Sequence, residues 1–417
     1  MKKLLIVSLF LSILANSVLS CSFVKASYKS VLNSGCVIAR TMDYELNFKL
    51  MPACGKKGIS NISSVNSVPN LSEDKIMTWT NSYKFIGIPF SPMGDIVDGI
   101  NEEGLYCGQL YLPNCTKFPE YDPTSPNKVI SYVNLSAYFL GTCDSVESAI
   151  KKLSELQVLG STVSAFGVFP LHLVLADKTG DSALIEYVDG KIQVYRNGVD
   201  KIDLNVVTNS PAYPWHLNDY NDKSINFTPE NTDVKWDGLY MNGSGFAGSD
   251  DNNTNCLAGD WTPPSRFNRA TAILNYGPTP KDLSQAFCVV EQTINSVTAP
   301  LGLNSAPTNW ISMANLKDGI YYFKALQLGI VSIGKFGIQA RVPNTKGPST
   351  YKAFSVQDYK PKSTLRFFNT KITRPIIKYD YEKQYIKMQE GGAKPGSKYK
   401  ANFVSILHAS DKKRTKL

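Results

Sequence analysis

The feature that most restricts the fold is a series of short apolar runs separated by tight polar turns. Between residues 166 and 208 the runs are Phe166–Ala176, Ser182–Val188, Lys191–Tyr195 and Asn205–Thr208. The turns between them, such as Asp189-Gly190, are too short for the crossover that parallel strands require. This region therefore predicts an antiparallel sheet.

Strand and helix patterns alternate along the chain up to about residue 325. Further strands are predicted at Ser22–Ser27, Cys36–Arg40, Lys84–Ile88, Ile96–Ile100, Leu105–Leu112, Trp310–Met313 and Ile320–Phe323, with a hairpin turn at Asn101–Gly104. Helices are predicted at 144–157, where Asp144 and Glu147 would form a capping box, at Ser265–Leu274 and at Lys281–Val297. This order of elements predicts an α+β layered domain.

Residues 218–260 are polar and rich in turn formers, which predicts a long functional loop. Past residue 325 the pattern loosens. We expect an extension over 326–390, and the pattern leaves open whether it packs on the domain by completing a sheet, covers the pocket or hangs free. A basic and mobile tail is expected over 391–417.

The charge of the chain gives no support for a nucleic-acid partner. The 417 residues include 44 Lys and Arg and 35 Asp and Glu, a formal charge of +9. Residues 394–417 contribute +6 of this charge and Lys2 with Lys3 another +2, so the body between them is nearly neutral. A nucleic-acid-binding domain would instead carry its positive charge on the folded surface.

The first twenty residues have the three parts of a secretory signal peptide. A basic start is followed by an apolar run over 4–14 and then by small residues that end at Ser20. The run is too short to span a bilayer, and no later stretch is long enough. We expect cleavage before Cys21 and a secreted or periplasmic protein. The alternative is a lipoprotein acylated at Cys21, although Leu19 occupies a place where that processing site usually has a small residue.

Eight cysteines and three histidines do not predict a metal site. No two cysteines have CxxC spacing, so a zinc site built from Cys and His is not expected. Export would permit disulfides. Cys54 and the close pair Cys107 and Cys115 are candidates, with the connectivity left open.

A cysteine exposed as the first residue of a mature chain differs from any internal cysteine. Its α-amine has an ordinary pKa of about 7.7–8.0, so it can accept the thiol proton near neutral pH. Cys21 would then carry both the nucleophile and the base, and no histidine would be required. His172 lies in an apolar run and is predicted to be a core residue.

Arg40 and Asp43 follow about twenty residues after Cys21. A guanidinium near the thiol favours the thiolate, and a carboxylate can hold the α-ammonium. Along an unbroken strand the two side chains face opposite sides, so the chain must turn or bulge if both reach the nucleophile. On spacing alone, a surface salt bridge between them is the simpler interpretation.

A series of motifs resembles the choloylglycine hydrolase family of conjugated bile acid hydrolases and penicillin V acylases. Cys21 is followed by ARTMDYE at 39–45, and the later motifs occur in the family's order at 101–113, 177–187, 208–216 (TNSPAYPWH), 257–267 (LAGDWTPPSRF) and 308–323. The resemblance covers residues 21–325, which we take as one catalytic domain. Residues 250–255 look like an insertion into this pattern.

The resemblance implies the N-terminal nucleophile hydrolase fold, a four-layer αββα sandwich with two antiparallel sheets between helical layers. It implies that Cys21 is the nucleophile, that its own amine is the general base, and that Arg40 and Asp43 tune the thiol and the amine. It implies no metal and no organic cofactor.

The remaining site residues are also implied by the resemblance. Asn209 would donate its side-chain amide to an oxyanion hole that the backbone N–H of Tyr111 completes, and Arg266 would complete the polar cluster. A tyrosine at position 111 is similar to the penicillin acylases, since many bile acid hydrolases have asparagine there.

The implied reaction is hydrolysis of a linear, non-peptide amide with an apolar acyl group. Phenoxyacyl amides such as penicillin V, conjugated bile acids and N-acyl homoserine lactones are candidate substrates, and the acylase type is favoured. The expected partner is this small molecule, with no nucleic acid and no membrane span, and the chain could assemble as a dimer or tetramer. The alternatives are a lipid-modified or catalytically silent ligand-binding protein, or a dormant chain with its leader uncleaved.

Overall fold

The computed structural model describes residues 19–29, 34–44, 53–89, 95–162, 167–199, 202–224, 259–300 and 306–326, with short pieces at 227–228, 234–236, 239–241, 247–248 and 352–355. Its helices are α1 (Tyr132–Thr142), α2 (Val146–Leu153), α3 (Tyr213–Ser224), α4 (Pro263–Tyr276) and α5 (Leu283–Ser296), with a 3-10 helix at Glu73–Lys75. The predicted signal peptide up to residue 18, the insertion at 250–255 and the tail at 391–417 lie outside the described residues.

The first large sheet has six strands and carries Cys21 near its centre. In spatial order they are β14 (Val206–Val207), β1 (Leu19–Lys29), β2 (Ser34–Tyr44), β19 (Thr308–Asn315), β20 (Ile320–Ala325) and β21 (Lys352–Ser355). All neighbours are antiparallel. Lys352–Ser355, within the predicted C-terminal extension, thus adds the edge strand of this sheet.

The second large sheet has seven antiparallel strands. In spatial order they are β13 (Lys191–Arg196), β12 (Ser182–Val188), β11 (Leu171–Ala176), β8 (Tyr106–Tyr111), β7 (Ile96–Asn101), β6 (Phe85–Pro89) and β3 (Ala53–Gly55). The antiparallel meander predicted from the short turns is confirmed for β11, β12 and β13. The run predicted as its fourth strand, Asn205–Thr208, instead lies in the first sheet, where β14 pairs with β1. The hairpin at Asn101–Gly104 is confirmed as well, and Gly104 has φ +83, which a side chain would strain.

Four small two-stranded sheets complete the described strands. They pair β4 (Ser60–Ile62) with β5 (Thr78–Thr80), β9 (Lys128–Ser131) with β10 (Leu156–Leu159), β15 (Phe227–Thr228) with β18 (Ala247–Gly248), and β16 (Val234–Trp236) with β17 (Leu239–Met241). Only the pairing of β9 with β10 is parallel among these.

The elements stack in four layers. Helices α4 and α5 pack on β1 and its neighbours, the two large sheets face each other with β1 against β8, and α1 packs on β7 and β8. This is the αββα sandwich of the α+β class that the motifs implied, so the fold prediction is confirmed. Because both faces of the inner strands are covered, ten of the eleven residues of β2 are buried, including polar ones.

Helix α1 was not predicted. Ten of its eleven residues are buried, so buried side chains occupy every face and the sequence has no helical periodicity. Gly141 near its end fits closely against the side chain of Asn81, where a Cβ atom would come within 2.3 Å of Oδ1.

The boundaries predicted for the next helix were wrong. Helix α2 spans Val146–Leu153, and its capping box is formed by Ser145 and Ser148 rather than by Asp144 and Glu147. Residues 156–159 are not helical, because strand β10 pairs there with β9. Apolar residues continue at helical spacing from α2 into β10, so the sequence pattern predicts one longer helix.

The loop prediction for 218–260 was also partly wrong, because helix α3 continues to Ser224 and short strands follow at 227–248. The helices predicted at Ser265–Leu274 and Lys281–Val297 correspond to α4 and α5.

In the part of the chain that is described, no helix has the length and apolar character needed to cross a bilayer. The seven described cysteines are free, so none of the bridge candidates Cys54, Cys107 and Cys115 forms a disulfide.

Asn101 ties the hairpin of β7 and β8 to the end of α1, and its replacement should destabilise the fold. Its Nδ2 donates to the carbonyls of Leu140 and Cys143, and its Oδ1 accepts from the N–H groups of Glu103 and Leu105. Asn101→Ala leaves these buried groups unpaired, so we expect the free energy of unfolding to fall by about 2–4 kcal/mol in urea titrations.

The control is Glu103→Ala in the same turn. Glu103 forms an exposed ion pair with Lys178, which is worth about 0–1 kcal/mol. Equal stabilities of the two variants would contradict the role given to Asn101.

Candidate active site

Cys21 lies in β1, an inner strand of the first sheet between β14 and β2. Opposite Met42 in β2, it is only 2% exposed. Its Sγ is 3.5 Å from Nη2 of Arg40 and 3.8 Å from Sδ of Met42. The thiol therefore points into the space between the two sheets, where a guanidinium is its nearest charged group.

Arg40 is fully buried and is held from several directions. Its Nη2 donates to the carbonyl of Gln109 at 2.6 Å, and its Nη1 donates to the carbonyl of Val97 at 3.1 Å. Nη1 also lies 3.4 Å from a carboxylate oxygen of Asp98, and the guanidinium lies over the ring of Trp310. These contacts fix the group that faces the thiol.

Asp43 and Arg266 lie on the opposite face of the sheet, toward the helices. Asp43 accepts a hydrogen bond from Thr308 at 2.6 Å, and its Oδ2 lies 3.9 Å from Nη1 of Arg266. Helix α4 carries Arg266, whose Nη1 donates to the main-chain carbonyl of Cys21 at 2.7 Å. The main chain at Cys21 is thus held from the helix side of the sheet, while the Cys21 side chain faces the second sheet.

Asn209 connects these groups. Its Oδ1 accepts from the backbone N–H of Cys21 at 2.8 Å, from Arg266 at 2.6 Å and from the hydroxyl of Ser20 at 3.2 Å. Its Nδ2 donates to the carbonyl of Tyr111 at 2.6 Å. One amide hydrogen of Asn209 is therefore directed at Tyr111, and a second hydrogen belongs to the same nitrogen.

The structure thus brings together all six residues singled out from the sequence: Cys21, Arg40, Asp43, Tyr111, Asn209 and Arg266. The surface salt bridge considered for Arg40 and Asp43 was wrong, because both side chains are fully buried and face opposite sides. The bulge expected between them is not in β2, whose pairing with β1 is continuous. The register shift lies instead in β19, between Thr308 and Trp310, opposite Asp43 and Met42.

Two histidines, neither predicted as a site residue, hold the segment that carries Asn209. His216 lies 2.7 Å from the carbonyl of Asn209, and its ring stacks on Phe267 of α4. Because a carbonyl only accepts, Nε2 of His216 carries the proton. His172 lies between Glu186 and the carbonyl of Thr208, so it is a satisfied core residue as predicted. The histidine in TNSPAYPWH was the available signal for His216.

Burial controls the ionisation of the site. Burial raises the pKa of the Cys21 thiol above its usual value, while the charge of Arg40 opposes the rise. Burial also raises the pKa of Asp43 to about 6, although Arg266 and the hydroxyl of Thr308 act against it. Burial alone would lower the pKa of Arg40, but the Cys21 thiolate and Asp98 hold it above the usual range. Arg40 therefore stays charged beside the thiol.

The described residues contain no group of three His, Cys, Asp or Glu side chains arranged to hold a metal ion. The polar atoms around Cys21 belong to two arginines, an asparagine and an aspartate. Such a set can tune a thiol and a main-chain nitrogen by charge and hydrogen bonding.

The four layers, with Cys21 in an inner strand, are the architecture of the N-terminal nucleophile hydrolases. Residues 30–340 match the family described as linear amide C–N hydrolases, choloylglycine hydrolase family. The chain therefore belongs to this family.

Individual relatives agree with this assignment. The chain is 27% identical over 303 residues to a bile salt hydrolase/transferase of Clostridium perfringens, covering 70% of this chain and 85% of the relative. It is 32% identical over 148 residues to a penicillin V acylase of Pectobacterium atrosepticum, covering 34% of this chain and 38% of that protein.

Solved structures show the same fold. A mutant of the conjugated bile acid hydrolase from Clostridium perfringens superposes with a TM-score of 0.60 at 21% identity, over 82% of this chain and 93% of the other. Penicillin V acylase from Agrobacterium tumefaciens superposes with a TM-score of 0.58 at 20% identity, over 84% of this chain and all of that one.

The raised pKa of Asp43 makes the stability of the chain depend on pH. The folded chain binds this proton more tightly than the unfolded chain, in which the pKa is about 4. Ionisation of Asp43 therefore lowers the free energy of unfolding as the pH rises from about 4 to about 6. Asp43→Asn cannot ionise, so its stability relative to wild type should increase by about 1–3 kcal/mol between pH 4 and pH 7.

Urea titrations of both proteins at the two pH values measure this difference. Asp122→Asn is the control, because Asp122 is exposed and the pKa of its carboxyl is lowered by hydrogen bonds from Thr124. A difference for Asp43→Asn that stays constant or shrinks toward pH 7 would contradict the burial effect.

Proposed function

We propose that the protein hydrolyses linear, non-peptide amides with Cys21 as an N-terminal nucleophile. The observation that carries the proposal is the arrangement around this one residue. Its thiol faces the charge of Arg40 at 3.5 Å, while its nitrogen and carbonyl are held by Asn209 and Arg266 on the other side. Electropositive surroundings are typical of reactive cysteines, whereas structural buried cysteines are inert.

The mechanism depends on removal of residues 1–20. In the described chain the Cys21 nitrogen is a peptide N–H that donates to Asn209, so it cannot accept a proton. Cleavage before Cys21 turns it into an α-amine with an ordinary pKa of about 7.7–8.0. The amine then takes the thiol proton, and the thiolate beside Arg40 attacks the amide carbonyl.

Asn209 and Tyr111 are proposed to stabilise the tetrahedral intermediate. One hydrogen of the Asn209 amide is used by the carbonyl of Tyr111, which fixes the plane of the amide, and the second is proposed to donate to the oxyanion. The backbone N–H of Tyr111 is proposed as the other donor.

The second half of the reaction uses the same nitrogen. The α-ammonium protonates the leaving amine, and the thioester is hydrolysed by a water that the regenerated α-amine activates. Asp43 is proposed to hold the ammonium. Its Oδ2 is buried and accepts no hydrogen bond from the described residues, which favours a cationic neighbour at that point.

An apolar acyl group suits the surroundings of the thiol. Met42 lies beside the sulfur, and the side chain of Tyr111 is half-buried at the end of β8. Penicillin V-like phenoxyacyl amides are our first choice, because Tyr111 resembles the acylases, and conjugated bile acids or N-acyl homoserine lactones are the alternatives within the family. No step requires a metal or an organic cofactor.

The competing binding-protein hypothesis requires a lipid or a block on Cys21. Burial of Cys21 within β1 argues against it, because an acylated residue would have to leave the paired strand. Export to the periplasm or outside the cell follows from the proposed cleavage. Intact-mass measurement of the secreted protein checks both points, since a chain starting elsewhere or carrying a diacylglyceryl adduct would end the proposal.

Cys21→Ser tests the nucleophile. A hydroxyl is far less ionised than a thiol, so we expect this variant to lose hydrolysis of a panel of penicillin V, conjugated bile acid and acyl homoserine lactone substrates, measured as amine or lactone release. Thermal unfolding should change little because the two side chains are similar in size.

Cys288→Ser is the matched control, because Cys288 is a free and exposed cysteine on α5. It should retain full activity. Activity that survives in Cys21→Ser would refute the assigned nucleophile, and a wild-type protein that releases nothing from any substrate of the panel would refute the substrate class.

Asn209→Ala tests the oxyanion donor. Loss of one such donor should lower kcat by about 10²–10³ with little change in KM, because the interaction exists mainly in the transition state. Asn205→Ala is the control, four residues before Asn209. It removes an exposed hydrogen bond to Asp203 and should leave kcat unchanged. A pure rise in KM for Asn209→Ala would assign the residue to substrate binding instead.

A further inference from the structure

A second carboxylate lies behind Arg40, on the side away from the thiol. Asp98 in β7 is fully buried, and its Oδ1 accepts from the hydroxyl of Tyr321 at 2.7 Å. Its Oδ2 accepts from Ser312 at 3.0 Å and from Tyr106 at 3.1 Å, and it lies 3.4 Å from Nη1 of Arg40. Because Ser312 and Tyr321 come from the first sheet, the carboxylate is held between the two sheets.

The guanidinium of Arg40 thus has an acidic group on each side at nearly equal distance. The Cys21 sulfur is 3.5 Å from Nη2, and the Asp98 carboxylate is 3.4 Å from Nη1. An arginine does not give up its proton in a protein, so it cannot pass a proton between them. It can only divide its positive charge between the two neighbours.

The position of Arg40 does not depend on Asp98 alone. The carbonyls of Gln109 and Val97 and the ring of Trp310 also hold the guanidinium. What Asp98 adds to these neutral groups is a negative charge. Its main effect on the site is therefore expected to be electrostatic.

We propose that Asp98 is a positioning residue that acts through Arg40, as the buried counter-ion that limits how strongly the guanidinium stabilises the Cys21 thiolate. The proposal rests on the proposed role of Cys21 as nucleophile and assigns a further residue to that reaction. Too strong a stabilisation would make a poor nucleophile, because reactivity of a thiolate falls as its pKa falls. Asp98 would keep the sulfur reactive.

The other ionisable groups near Cys21, Arg40 and Asp98 differ from Asp98 in position or charge. Asp43 lies near the thiol from β2 and Arg266 reaches the Cys21 carbonyl from α4, but both lie toward the helices. Burial raises the pKa of Tyr106 and of Tyr321 well above the usual range, so both remain neutral donors. Burial also raises the pKa of Asp98, while Arg40 and the three hydroxyls favour its charged form. The proposed role requires the ionised carboxylate, which the four donors directed at it favour.

Asp98→Asn removes the charge and keeps the shape. We expect the pH midpoint for alkylation of Cys21 by iodoacetamide, followed by mass spectrometry of the Cys21 peptide, to fall by about one pH unit, because the whole guanidinium charge then acts on the thiolate. The acid limb of kcat/KM should move in the same direction. A packing defect alone would lower stability without this shift.

Tyr321→Phe should shift the midpoint in the opposite direction. Without that hydroxyl the carboxylate depends more on Arg40, so less positive charge is left for the sulfur and the midpoint should rise. Tyr322→Phe, in the neighbouring position of β20, is the matched control and should leave the midpoint unchanged.

An unchanged or raised midpoint in Asp98→Asn overturns the proposal, and so does a shift of the same sign in Asp98→Asn and Tyr321→Phe. If Asp98→Asn does not fold, the sign of the shift in Tyr321→Phe decides. Alkylation reports the ionisation of the thiol whether or not any amide is hydrolysed. The predicted shifts with an inactive wild-type enzyme would therefore refute the proposed function and keep the role of Asp98.

Discussion

The pairing of β1 with β2 inside the first sheet is the constraint on which the site depends. It places Cys21 opposite Met42, so the side chain of Cys21 shares a face with that of Arg40, toward the second sheet. The neighbouring residues on β2 then face the helices, where Asp43 meets Arg266. A register shift of one residue would move the thiol to the other face and separate it from Arg40.

This arrangement buries four ionised or ionisable groups that contact one another in pairs: Arg40 with Asp98, and Arg266 with Asp43. Removing such groups from water is costly unless charges are paired and hydrogen bonds are made. Both sheets contribute to the first pair, and the first sheet and α4 contribute to the second. A thick layered fold is therefore a condition for the site, because an exposed sheet face would let water screen these charges.

Local features made part of this structure predictable. The hairpin turn Asn101–Gly104 depends on residues adjacent in sequence, whereas α1 is buried on all sides and leaves no periodic signal. Asn209 and Arg266 lie 188 and 245 residues from Cys21, so only the family motifs linked them to it. Asp98 could not be found, since it is one polar residue in an apolar run and its donors Ser312 and Tyr321 lie more than 200 residues away.

In the mechanism proposed for Cys21, the contacts of this residue explain why the uncleaved chain would be inactive. While its nitrogen belongs to a peptide bond, the buried thiol has a raised pKa, and only Arg40 and a backbone N–H at Asp43 favour the thiolate. Cleavage would add a basic nitrogen beside Asn209 without moving the sulfur away from Arg40. The polar groups would thus be in place beforehand, and one covalent change would supply the missing proton acceptor. A site that relied on histidine as base would be active as soon as it folded, whereas this one would require the new terminus.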